Sequence, residues 1–189
     1  VNNRLNKNIW NLAYIVTIFT ACSDTDEPVV INEEEVITTV RATLVPQNGG
    51  TEITLESRDL DGDGPNAPVI SVSGNFDAST TYDATLKILN ETESPADDIT
   101  LEILEEDEDH QFFFSFTNEI ATATYSDEDS NGNPVGVTFD LLTGTAGSGS
   151  FTVILRHEPE KSAENVNTGD ITNASGATDV EVTFNITVN

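Results

Sequence analysis

The chain reads as mostly β, an antiparallel β-sandwich of the immunoglobulin-like kind with one short helix at about 94–109, and three observations predict it. β-Branched and aromatic residues come in short runs from Val36 onward. Gly, Asn, Asp and Pro cluster between those runs, where antiparallel neighbours need turns. In the last run Val180, Val182, Phe184, Ile186 and Val188 alternate with Glu181, Thr183, Asn185 and Thr187, as one buried and one wet face require. A closed β-barrel is the alternative arrangement of the same strands.

Taken in order, strands are expected at 36–45, 51–58, 69–74, 81–89, 111–117, 120–126, 135–142, 150–157 and 179–188. Pro46 to Gly50 and Thr143 to Gly149 are Gly-rich segments suited to hairpin turns. Between the fourth and fifth strands the pattern changes. Ser94 offers a capping hydroxyl, Pro95 fits a first helical turn, and Asp97 is an early carboxylate, which predicts the helix. Ile99, Ile103 and Leu104 would form its buried stripe, although Ile99, Leu101 and Ile103 also alternate as a strand would. Phe112, Phe113, Phe114 and Phe116 are expected to pack in the core, and two of them facing outward would make a binding patch.

Residues 1–21 have the parts of an export signal: Arg4 and Lys7, an apolar run from Asn8 to Ala21, and small residues at its end. The run is too short for a membrane span, which needs about 20 apolar residues. Thr20-Ala21-Cys22 resembles the lipobox of bacterial lipoproteins, with Phe19 where leucine is usual. The resemblance implies that Cys22 is lipidated and becomes the first residue. Residues 22–35 then form an acidic tether, and Ser23-Asp24-Thr25-Asp26-Glu27 resembles the signal that sends Bacteroidetes lipoproteins to the outer face of the outer membrane. It implies a lipid-anchored protein facing the medium, with residues 36–189 as a single β domain.

After residue 21 the chain carries five basic and 34 acidic residues, a formal charge of −29. Nucleic acid is excluded as a partner, because binding it takes clustered Lys and Arg. An anionic bilayer would repel this domain, so a lipid must do the anchoring. Cys22 is the only cysteine, which rules out disulfides within the domain. The charge also argues for a monomer in low salt. No G-x-S-x-G elbow, P-loop or H-E-x-x-H is present, and the chain is not expected to be an enzyme.

Two loops share the pattern D-x-D-x-[DN]-G: Asp59, Asp61 and Asp63 before Gly64, and Asp127, Asp129 and Asn131 before Gly132. Calcium takes six to eight oxygens, and side chains at alternate positions of a tight loop converge on one point. The twelfth positions are Ile70 and Thr138, so these are not EF-hands. The expectation is calcium in a structural role, against the alternative that Asp, Asn and Gly simply form turns. The two histidines, His110 and His157, each stand among carboxylates, and two imidazoles with carboxylates suit zinc or copper. In a barrel the pair would suit haem iron from opposite sides. The competing reading makes His110 an exposed helix-end residue, where the helix dipole favours a cation, and His157 a sheet-rim residue.

The stretches D-L-D-G-D-G-P-N-A-P-V-I, N-E-T-E-S-P-A-D-D-I-T, D-S-N-G-N-P-V-G and G-D-I-T-N-A-S-G-A-T-D-V-E-V-T-F resemble a family of small flavobacterial surface lipoproteins. Members are sometimes labelled as type 1 periplasmic binding fold proteins, a larger α/β structure that the strand pattern contradicts. The resemblance implies location and kinship and carries over no catalytic residue. The expected function is a surface-exposed outer-membrane lipoprotein that captures a ligand or metal as a non-catalytic accessory to a TonB-dependent uptake system. The alternative is a calcium-braced structural or adhesive β-module without a small-molecule site.

Overall fold

The structure, a computed structural model, describes residues 35–61 and 64–189. Residues 1–34, with Cys22 and all of the expected tether except Glu35, lie outside the described residues, as do Gly62 and Asp63. The chain divides into Val1–Glu33 and Glu34–Asn189, and every described residue belongs to the second unit. Among the described residues no helix is long and apolar enough to cross a membrane.

Nine strands form where the alternation and turn residues predict them: β1 (Thr39–Pro46), β2 (Ile53–Arg58), β3 (Val69–Val72), β4 (Thr81–Leu89), β5 (His110–Phe116), β6 (Ala121–Tyr125), β7 (Thr138–Thr143), β8 (Gly147–His157) and β9 (Ala177–Val188). They pair antiparallel in two sheets, of order β3-β2-β1-β4-β7-β6 and β5-β8-β9. The sheets keep separate edges, so the fold is a sandwich and not a barrel. Haem held between two barrel strands is therefore not an option for the histidine pair.

Between the sheets, alternate residues interlock. Val40, Ala42 and Leu44 of β1, Tyr82, Leu86 and Ile88 of β4, and Phe139 and Leu141 of β7 face Phe151, Val153 and Leu155 of β8 and Phe184 and Ile186 of β9. Burying one such large side chain contributes about 1.5–3 kcal/mol. Phe151 is the hub, stacked on Phe116 at 4.8 Å and 11° and in edge or tilted contact with Phe114, Phe139 and Phe184. The smaller sheet is also covered on its other face. There Phe113 packs with Val166 and Ala174 from the segment joining β8 to β9, which explains two consecutive buried phenylalanines at 112–113. Phe114 and Phe116 are half-buried and, with Ala121 and Tyr125, line a groove of about 340 Å³.

β7 begins three residues later than expected because Val135 to Val137 tie the two sheets together. Phe112 N–H donates to the Val135 carbonyl (2.7 Å) and Leu86 N–H to that of Val137 (2.8 Å). Gly136 sits between them at φ +88°, where a Cβ would lie 2.9 Å from Phe112 Cβ, so only glycine fits this crossing.

The helix α1 spans Ile99–Glu105, much shorter than 94–109. Asn90 and Asp97 exchange backbone hydrogen bonds (3.1 and 2.9 Å), which holds the chain up to Asp97 in a turn. At the other end Glu105 to Asp109 put five carboxylates against the negative pole of the helix, with no basic residue in its last turn. Ile99 and Ile103 are buried as expected, but Leu104 is exposed and Thr100 takes the third inward place. Its hydroxyl accepts from Ile88 N–H (2.8 Å) and docks the helix on β4.

Candidate metal centre

β5 starts and β8 ends on a histidine, and their register makes His110 and His157 direct cross-strand partners. The rings lie tilted against each other, at 4.8 Å between centroids and 31° between planes. His110 is therefore not an exposed helix-end residue: it is fully buried, and the short helix stops at Glu105, five residues before it. The residues that sequence reasoning missed are Asp179 and Glu35. Along β9, Leu155 pairs with Val180 but Arg156 pairs with Thr178, so Asp179 is the extra residue of a β-bulge. Bulges re-aim side chains, and this one brings Asp179 Oδ1 to 3.8 Å from His157 Nδ1. Glu35, from the chain entering β1, places Oε1 at 3.7 Å from His110 Nε2.

The proton on His110 can be assigned from its surroundings. Nδ1 lies 3.1 Å from the Glu106 carbonyl, which only accepts, so Nδ1–H donates to it. In the neutral ring the lone pair is then on Nε2. That nitrogen is buried with no hydrogen-bond partner, and so is Oε2 of Glu35. When the Glu35 carboxyl is ionised, two acceptors thus face each other across 3.7 Å. Burial, followed by the charges of Asp179, Glu102 and Glu106, pushes the Glu35 carboxyl up to about 7. None of the described ion pairs puts a lysine or arginine on Glu35.

Donor atoms of His110, His157 and Asp179 lie within 4.8 Å of one another, and so do those of Glu35, Glu106 and His110. A tetrahedral ion with ligand bonds of about 2.0–2.1 Å holds its donors roughly 3.3 Å apart. The closest contacts are already within half an ångström of that. Imidazole nitrogen with carboxylate oxygen suits a divalent first-row ion of the zinc or copper(II) class. Beside the cluster a cleft of about 230 Å³ is lined by Ile37, Thr38, Asp59, Asp179 and Glu181, an acidic approach from solvent.

The two calcium candidates are arranged differently. Asp127 accepts from Gly136 N–H (2.7 Å) and Thr138 N–H (2.8 Å), one bond to each oxygen. Asp129 Oδ1 accepts from Asn131 and Asn133 N–H (both 2.9 Å). Its Oδ2 pairs at 3.0 Å with Lys161 Nζ, which also donates to the carbonyls of Pro134 (3.1 Å) and Asp107. A buried ammonium thus stands among the oxygens where the motif predicts a metal, while Asn131 is exposed. Burial alone would push the Asp129 carboxyl up, but the Asn133 N–H, the Lys161 ammonium and the Asn131 N–H together hold it below its ordinary value. In the first loop, Asp61 Oδ2 accepts from Asn66 Nδ2 (2.7 Å) and Asp59 Oδ1 from Asp61 N–H (3.3 Å), while Asp63 lies outside the described residues. The six candidates therefore remain on two separate loops, and the described carboxylates among them bond their own turns, apart from the Asp129–Lys161 pair.

No family model matches the chain, and neither the curated proteins nor the solved structures contain a match to it.

Proposed function

We propose that the domain captures a divalent transition ion, of the zinc or copper(II) class, at His110, His157 and Asp179, and that it does so without catalysis. One observation carries the reading: the fully buried His110 presents an unpartnered Nε2 lone pair to a cluster of carboxylates. An unpaired buried polar atom costs about 1–3 kcal/mol, and a cation at that point removes the cost while neutralising the acids around it. The export signal, the lipobox-like Thr20-Ala21-Cys22 and the kinship with flavobacterial lipoproteins support a lipid anchor in the outer membrane, facing the medium. In that place a captured ion would be handed to a TonB-dependent transporter.

The test is thermal unfolding of the metal-stripped full chain, with zinc, copper(II) and calcium added separately. A ligand at a hundred times its dissociation constant stabilises by about 2.7 kcal/mol, here roughly 5–10 °C in midpoint. We expect that rise with zinc or copper(II), and expect His157→Gln to remove it. Cobalt(II), added as a spectroscopic stand-in, should show the intense visible bands of a tetrahedral site. A rise with calcium alone would replace this reading with the calcium-braced module, against which the lysine in the Asp127–Gly132 loop already weighs.

A further inference from the structure

We infer that Glu35 is a further ligand of this centre and that ion binding thereby fastens the described segment ahead of β1, residues 35–37, onto the sandwich. The inference rests on the metal-capture reading. Glu35 stands outside every strand, four residues ahead of β1. Among the described residues the first backbone bond tying this end into a sheet is Thr38 N–H to the Leu89 carbonyl (3.0 Å). Between them Val36 is 54% exposed and only Ile37 packs on the core. Ahead of Ile37 the inward contact is the Glu35 side chain, whose Oε2 is buried without a hydrogen-bond partner and whose Oε1 lies 3.7 Å from His110 Nε2.

Without a cation this seat is electrostatically poor. The donor atoms of Glu35, Glu106 and His110 lie within 4.8 Å of one another, and Asp179 and Glu102 add further negative charge around Glu35. With a cation between Glu35 and His110 the repulsion becomes attraction, and the docked segment adds an oxygen to the two nitrogens and the Asp179 carboxylate. An ion that binds the docked form more tightly must shift the segment toward docking. Linkage makes the effect reciprocal: whatever draws residues 35–37 away from the sheets lowers the affinity for the ion by the same factor.

The experiment uses the full chain, metal-stripped and then titrated with zinc chloride against a chromophoric chelator, with amide hydrogen exchange followed by mass spectrometry. In the wild type zinc should slow exchange at residues 36–38 by tenfold or more. Glu35→Gln, which disturbs no strand, should hold zinc about tenfold more weakly and lose that protection. His157→Gln should lose both. Zinc bound equally tightly by Glu35→Gln, or bound by the wild type with residues 36–38 unprotected, would overturn the inference and leave metal capture standing. A wild type that binds no zinc would overturn both.

Discussion

Lys161→Met removes the ammonium from a site built around it, and its cost follows from the geometry. The Lys161 side chain is 5% exposed and that of Asp129 is 1% exposed, at a separation of 3.0 Å. Three oxygens, from Asp129, Pro134 and Asp107, lose their donor together. Removing one partner of a buried ion pair costs about 3–5 kcal/mol, because the other charge stays behind uncompensated. For a domain of this size each kcal/mol moves the midpoint by about 2–4 °C, so the variant should melt roughly 6–20 °C lower. Adding Asp129→Asn to it keeps the Oδ1 acceptor for Asn131 and Asn133 but removes the stranded charge, and should restore a large part of the loss. The pH dependence supplies a second arm. In the wild type the Asp129 carboxyl is held below its ordinary 3.8, so the unfolded chain takes up its proton first on acidification. Its contribution is fully present above that ordinary value and is lost as pH falls through the lowered one. In Lys161→Met the same carboxyl is buried without its cation, its pKa rises, and protonation relieves the variant. The gap between the two proteins should therefore narrow as the pH falls through the raised pKa of the variant and on through the lowered one of the wild type, as read by denaturant unfolding at a series of pH values. A loss under about 1 kcal/mol at pH 7, or a gap that does not depend on pH, would refute the reasoning.

Three further outcomes follow from the same geometry. Asp127→Ala orphans the N–H groups of Gly136 and Thr138 and should cost about 2 kcal/mol in calcium and in chelator alike; dependence on calcium would reinstate a metal at that loop. Gly176→Ala should lower the melting midpoint and weaken zinc binding together, because at φ +71° its Cβ would lie 2.2 Å from the His157 carbonyl oxygen. In the metal-free protein the Glu35 carboxyl is raised from 4.5 to about 7, so the folded state holds the extra proton and stability falls as pH rises between those values. Saturating zinc should flatten that slope and release protons on binding, measured by calorimetry in buffers of different ionisation enthalpy.

The strands were legible because each carries its own signal, a period of two bounded by turn residues, and that signal does not depend on partners. The helix was legible as a break in the period but not in its length, since the pairing of Asn90 with Asp97 is a tertiary event that overrides a good capping sequence. The site was half legible. Two histidines in an acidic chain stand out, but that they meet depends on the register of β5 on β8, which no local pattern encodes. Asp179 looked like an ordinary strand residue because a bulge leaves almost no mark in composition. Glu35 was one of three consecutive glutamates at 33–35. The lysine in contact with the second D-x-D-x-[DN]-G loop was hidden for a related reason: Lys161 comes from 32 residues downstream of Asp129. Its scarcity was the available clue, as one of seven basic residues facing 34 acids.

Under the proposed metal capture, the charge and the histidines would divide the work of selecting an ion. A net charge of −27 raises the local concentration of every cation near the domain and speeds arrival through the acidic cleft beside Asp179. It does so without discrimination, and surface carboxylates hold calcium and magnesium as well as anything else. Discrimination needs donors that hard cations bind poorly, and buried imidazole nitrogen is such a donor. Placing His110 and His157 as cross-strand partners at a sheet end fixes both rings by packing, and the Glu106 carbonyl fixes the tautomer of one of them. The two roles make opposite predictions for salt. Raising ionic strength should slow zinc association through screening while leaving its dissociation rate almost unchanged, whereas His157→Gln should speed dissociation with little effect on association. Stopped-flow exchange of zinc against a chromophoric chelator separates the two rates. Equal salt dependence in both would mean that exposed carboxylates hold the ion, and the histidine pair would then lose its assigned role.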